Sequence, residues 1–194
     1  NRGQSLPSLV MGNINGTIAG VIFPALTKWQ DDKARVKELL RRMLVTSSFF
    51  VFPMMFGLAV IAEPLVKILL TDKWIPCVPF MQLSCITYAF WPIHVGHLQA
   101  LAALGRSDIF LRLELIKKAL LIIMILITFS YGIYAMVAAS AVLSFISTFI
   151  NAWPNRKILN YAYKEQILDI MPSLVLSVVM CFLIIPISFI HLGH

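Results

Sequence analysis

The sequence predicts an all-α, polytopic integral membrane protein with six transmembrane helices, and three observations predict it. Hydrophobic residues make up 59% of the chain and charged residues 13%, whereas a soluble domain carries about 25% charged residues and could not cover this much apolar surface. The apolar residues fall in runs of about twenty or more, enough at ~1.5 Å per residue to cross a ~30 Å hydrocarbon core. The cations gather in alternate connections between those runs.

Taken in order, residues 6–26, 43–62, 78–104 and 132–153 contain no Asp, Glu, Lys or Arg. Residues 113–131 carry Glu114, Lys117 and Lys118 only in their first turns, where long side chains snorkel to the interface. Residues 167–192 carry Asp169 in the same position. The uncharged stretch from Ala119 to Asn155 divides into two spans, because as one helix it would be ~55 Å long, nearly twice the hydrocarbon core. The Ser130–Tyr131–Gly132 step supplies the turn. All six spans read as one transmembrane region over 1–194. The chain opens at Asn1 with neither a methionine nor a signal pattern, so its start reads as the interior of a longer protein.

Lys and Arg accumulate on the cytoplasmic side of short loops. The first, third and fifth connections hold Lys28, Lys33, Arg35, Lys37, Arg41 and Arg42, then Arg106, Arg112, Lys117 and Lys118, then Arg156, Lys157 and Lys164; only Arg2, Lys67 and Lys73 of the 16 cations fall on the other side. This places both ends on the periplasmic side. Two connections have the pattern of helices lying on the membrane. In Lys33–Leu44 an i, i+4 row of Lys33, Lys37 and Arg41 faces anionic lipid, and Pro64–Trp74 sets an apolar stripe beside an interfacial tryptophan. Solvated elbows fit both segments as well.

Polar residues inside spans face other helices or a watery cavity. Gly12, Gly16 and Gly20 form one smooth face for a neighbouring helix. Asn13 and Asn15 lie beside it, serving either a cavity or interhelical hydrogen bonds. The third span is the most polar, with His94 and His97 at i, i+3, Gln99 nearby, and Pro92 predicted to kink the helix. A relay or ligand contact and a purely structural histidine pair both fit. The three cysteines have no metal-ligand spacing, and no metal or cofactor is expected. Net charge is +7, but its placement in short loops suits head groups, not nucleic acid. No catalytic motif is present, neither G-x-S-x-G nor H-E-x-x-H nor a glycine-rich phosphate loop, so the chain is not expected to be an enzyme.

Asn1-Arg2-Gly3-Gln4-Ser5-Leu6-Pro7, then Ile22-Phe23-Pro24-Ala25-Leu26-Thr27-Lys28 with Gln30-Asp31-Asp32, resembles the lipopolysaccharide and capsule flippases of the multidrug/oligosaccharidyl-lipid/polysaccharide exporter superfamily. Pro53 to Gly57, Glu63-Pro64-Leu65, Lys73-Trp74 and Ala102-Ala103-Leu104-Gly105-Arg106 continue the resemblance in the same order. It implies twelve to fourteen helices in two bundles, exporting an undecaprenyl-pyrophosphate-linked oligosaccharide across the bacterial inner membrane by alternating access. This chain would supply helices eight to thirteen, and its partners would be that substrate, membrane lipids and a missing N-terminal half. Arg2 matches the family's basic position at the outer start of its helix. Asn13, Asn15, His94, His97, Gln99 and Lys117 are further candidates for the substrate path. The alternatives are a multidrug cation exporter of the same superfamily and a membrane-embedded polysaccharide polymerase or transferase.

Overall fold

The computed structural model describes residues 7, 8, 12, 16, 20–70 and 72–191, with no side-chain placement for 70 or for 185–191. Among the described residues the chain is helical throughout, with no strand. Residues 20–28 form α1. There follow α2 (Lys33–Val60), α3 (Ala62–Leu70), α4 (Val78–Ala89), α5 (Trp91–Ala103), α6 (Ser107–Thr128), α7 (Ile133–Ile158) and α8 (Tyr163–His191).

The helix ends follow local chemistry. Asp32 caps α2 by accepting from the backbone N–H of Arg35 at 3.0 Å. At the end of α5, Gly105 has φ +69°, its N–H reaches the Ala102 carbonyl and that of Arg106 reaches Leu101. This is the left-handed closure that glycine adopts most readily. A short 3-10 turn, Phe129–Tyr131, and Gly132 at φ +90° separate α6 from α7.

The third apolar run, 78–104, is two helices, broken at Phe90 between α4 and α5. Pro92 lacks the N–H that would continue the ladder, and the Phe90 carbonyl instead takes the N–H groups of both Ile93 and His94. Lys33–Leu44 is not a separate surface helix. It is the first half of α2, because nothing between Asp32 and Pro53 interrupts the hydrogen-bond ladder, and Pro53 itself is accommodated within the helix.

The centre is α2, which packs against α8, α4 and α5; α7 lies across α4 and α5, and α6 joins only on the side of α5 and α7. Leu40, Leu44 and Phe52 of α2 meet Met81 and Cys85 of α4 and Ala100 of α5 in one buried cluster. The outer faces are apolar as well: Leu111, Leu115, Ile122 and Leu126 of α6 and Val175, Val179 and Phe182 of α8 are exposed. Such a surface is unfavourable in water and is what a lipid solvent requires.

Among the described residues three helices are long and apolar enough to cross a membrane, Lys33–Val60, Ile133–Ile158 and Tyr163–Ile184. Of the remaining expected spans, 6–26 lies largely outside the described residues; 78–104 is halved at Phe90, and α6 carries Arg112, Glu114, Lys117 and Lys118 in its first half. Gly12, Gly16 and Gly20 are exposed, and among the described residues no neighbouring atom lies within 4 Å of where a Cβ would stand. The close approach occurs elsewhere, at Gly96, where a Cβ would stand 2.7 Å from Met43 Sδ.

The basic ends of the helices meet at one end of the molecule. Arg41 pairs with Asp169 at 2.6 Å and Lys37 with Glu165 at 2.7 Å, while Lys37 also donates to the carbonyl of Asn160. Two cations of the predicted lipid-facing row are therefore spent on α8. Tyr161, fully buried between α7 and α8, donates to the other oxygen of Asp169 at 2.7 Å.

Candidate functional site

A cleft of about 400 Å³ opens between α5, α6 and α7. One wall is α5 with Trp91 and His94, another is α6 with Glu114 and Lys117, and the third is the serine face of α7 with Ser144 and Ser147. Within a bundle whose outer surface is apolar, this concavity gathers one ion pair, one imidazole and several hydroxyls. Lys117 donates to Glu114 at 2.5 Å, one helical turn away, so the ammonium is held against the α6 wall.

His94 is fixed from α7. Asn151 Nδ2 donates to His94 Nδ1 at 3.2 Å, so this nitrogen is the acceptor and the ring proton sits on Nε2. That Nε2–H lies 3.3 Å from both Ser144 Oγ and Thr148 Oγ1. The two hydroxyls accept it because their own protons go elsewhere, Ser144 to the Thr87 carbonyl and Thr148 to the Ser144 carbonyl. His94 is thus a neutral, oriented ring at the cleft wall.

His97 stands apart from the cleft and is fully buried. Asn155 Nδ2 donates to its ring Nδ1 at 3.0 Å and to its carbonyl at 3.1 Å. The carbonyl can only accept, which fixes the Asn155 amide and places the His97 proton on Nε2, an atom with no partner among the described residues. The arrangement is a structural clamp between α5 and α7.

Of the residues expected from sequence, His94 and Lys117 share the cleft, His97 packs behind it, and Gln99 is half-buried on α5 away from it. Arg2, Asn13 and Asn15 lie outside the described residues. The sequence reading missed the α7 partners, although their signal was present: Ser144, Thr148, Asn151 and Asn155 recur at intervals of four, three and four, one face of a helix in an otherwise apolar run. Among the described residues no cluster of three or more His, Cys, Asp or Glu could hold a metal.

The family described as "Polysaccharide biosynthesis protein" matches residues 1–79. The chain is similar to the lipopolysaccharide biosynthesis protein WzxC of Escherichia coli, 26% identical over 84% of this chain and 35% of that protein. It is also similar to an uncharacterized membrane protein in the cps region of Klebsiella pneumoniae, 34% identical over 54% of this chain and 21% of that protein. The chain is thus similar to proteins named for polysaccharide biosynthesis. A third relative, the succinoglycan biosynthesis transport protein ExoT of Rhizobium meliloti, is 29% identical over 45% of this chain and 17% of that protein. The chain thus covers no more than 35% of the length of any of these relatives. No solved structure matches it. The cleft, from Thr87 to Ser147, falls beyond the stretch that the family description matches.

Proposed function

We propose that the chain is part of a transporter that exports a lipid-linked oligosaccharide across the bacterial inner membrane, and that the α5–α6–α7 cleft belongs to the path of the polar part of that cargo. The observation that carries this reading is the cleft itself: an ammonium, an oriented imidazole and hydroxyls in a concavity among lipid-facing helices. Sugars are bound by hydroxyl and amide groups, and a pyrophosphate by a cation. The pyrophosphate carries more charge than the Glu114 carboxylate and competes with it for Lys117. His94, its Nε2–H held by Ser144 and Thr148, orients the hydroxyls of α7 at the cleft wall without itself being charged.

In the full reading the six apolar runs are part of a bundle of twelve to fourteen helices. The basic end faces the cytoplasm, both ends of the chain face the periplasm, and Arg2, Asn13 and Asn15 line the same path. The relatives' link to polysaccharide biosynthesis, and the word transport in the name of one, support this reading over an enzyme.

The test removes the gene of the full-length protein and follows its lipid-linked repeat units. Their retention on the cytoplasmic leaflet is the expected result, with Lys117→Gln giving partial retention, since a lost charge-assisted contact weakens phosphate binding by roughly 10-fold or more. Units that reach the outer leaflet at the normal rate overturn the proposal, and lipids that lack the glycan altogether indicate an enzyme.

A further inference from the structure

A second concavity, a groove of about 260 Å³, runs between α5, α7 and α8. Aromatic rings line it in a continuous ladder along α7: Phe90 to Phe145 at 5.7 Å, Phe145 to Phe149 at 5.2 Å, and Phe149 to Tyr163 at 6.2 Å between centroids. Three polar side chains border the groove, and each has a donor turned to a backbone carbonyl. The Thr148 hydroxyl is spent on the Ser144 carbonyl, the Gln166 amide donates to the Tyr161 carbonyl, and the Tyr163 hydroxyl donates to the Phe149 carbonyl. What remains is a hydrocarbon wall.

The mouth of the groove has the opposite character. Tyr163 closes it at the basic end of the molecule, and the Arg156 guanidinium stands 5.9 Å over the Tyr163 ring. Lys164 is the next residue. Both cations are exposed, and neither has a carboxylate partner among the described residues, whereas Lys37 and Arg41 at the same end are paired with Glu165 and Asp169. A dry groove that ends at unpaired cations is complementary to one kind of molecule, an amphiphile with a hydrocarbon chain and an anionic head.

We propose that the α5–α7–α8 groove is a binding site for an anionic membrane phospholipid, its acyl chain along the Phe90–Phe145–Phe149–Tyr163 ladder and its phosphate between Arg156 and Lys164. This lipid is a resident of the bilayer and not the exported cargo, and the site does not depend on the role proposed for the cleft on the other side of α7.

The test uses the full-length parent protein in vesicles of phosphatidylcholine mixed with phosphatidylglycerol, with a photo-crosslinking amino acid in place of Met171, which lines the groove, or of Leu126, which faces outward from α6. The expected result is enrichment of phosphatidylglycerol adducts over the bulk ratio at position 171 and no enrichment at 126. Arg156→Gln and Lys164→Gln each reduce that enrichment by about fivefold, the equivalent of ~1 kcal/mol per interfacial cation. Lys28→Gln with Lys33→Gln, cations at the same end but away from the groove, leaves it in place. Adducts in the bulk ratio, adducts to another segment of the protein, or equal losses in the two sets of variants each overturn the proposal.

Discussion

Tyr161 shows how one hydroxyl holds a junction between helices. Burial first, and the hydrogen bond to Asp169 second, raise the pKa of its phenol well above the ordinary value. The neutral form is the one that the fold prefers, so the stabilisation is present below the unfolded pKa of ~10 and is lost as pH rises beyond it. Tyr161→Phe removes a donor to a charged acceptor and is expected to cost about 1.5 kcal/mol at neutral pH. Thermal unfolding in detergent from pH 7 to 11 should show the wild type falling toward the variant above pH 10; parallel curves would mean that Asp169 does not need the phenol. Asn155→Ala is a second case. It deprives His97 of two hydrogen bonds inside the bundle, and interhelical hydrogen bonds in membranes are worth about 1–2 kcal/mol at the upper end. A lowered melting temperature with retained helical circular dichroism is the expected result, and an unchanged one would show that α5 and α7 hold together by packing alone. Of these groups the sequence indicates His97 and not its partner, because an asparagine 58 residues away becomes relevant only once α5 and α7 are known to be neighbours.

At the scale of helices, the contact between α2 and α5 turns on Gly96. A Cβ there would stand 2.7 Å from Met43 Sδ, 2.8 Å from its Cε and 3.2 Å from Leu44 Cδ2. The methionine end is flexible and can move, so Gly96→Ala should change stability by less than about 1 kcal/mol, with the gain in helix propensity offsetting the crowding. Gly96→Leu has no such escape and should cost about 1–3 kcal/mol as an overpacked contact. Equal melting temperatures for the two variants would show that the helices are not in close contact there. The sequence directs attention to a different glycine set, Gly12, Gly16 and Gly20, because regular spacing is visible in a sequence and a single close approach is not. The same limit explains Lys33–Leu44. Its cationic row is legible, but the acidic residues that take two of those cations, Glu165 and Asp169, lie on α8, 128 residues further along the chain. The break at Phe90 was legible because Pro92 acts locally, through its own missing N–H.

Over the whole molecule, the arrangement of cations makes a claim that no single contact can test. Helix α2 begins, α5 ends, α7 ends and α8 begins at one end, where Arg41 meets Asp169 and Asn155 meets His97; the opposite end brings Tyr134 at the start of α7 onto Phe80 near the start of α4, rings stacked at 4.4 Å. Because a helix that crosses once reverses the side of every later connection, the gathering of 13 of 16 cations on one side that the sequence predicts depends on every crossing at once. Single cysteines in an otherwise cysteine-free parent protein test it, one in place of Lys157 at the end of α7 and one in place of Lys73 in the 3-10 helix Asp72–Cys77, both exposed. A membrane-impermeant thiol reagent added to intact cells should label position 73 and not 157, and permeabilised cells should label both. The reverse pattern would invert the molecule in the membrane. Labelling of both positions from outside would mean that the chain between them, α4 to α7, crosses an even number of times, which requires α4 and α5 to act as a re-entrant pair, or α6 and α7 to make a single crossing between them, and would move the Lys117–His94 cleft away from any path between the two leaflets.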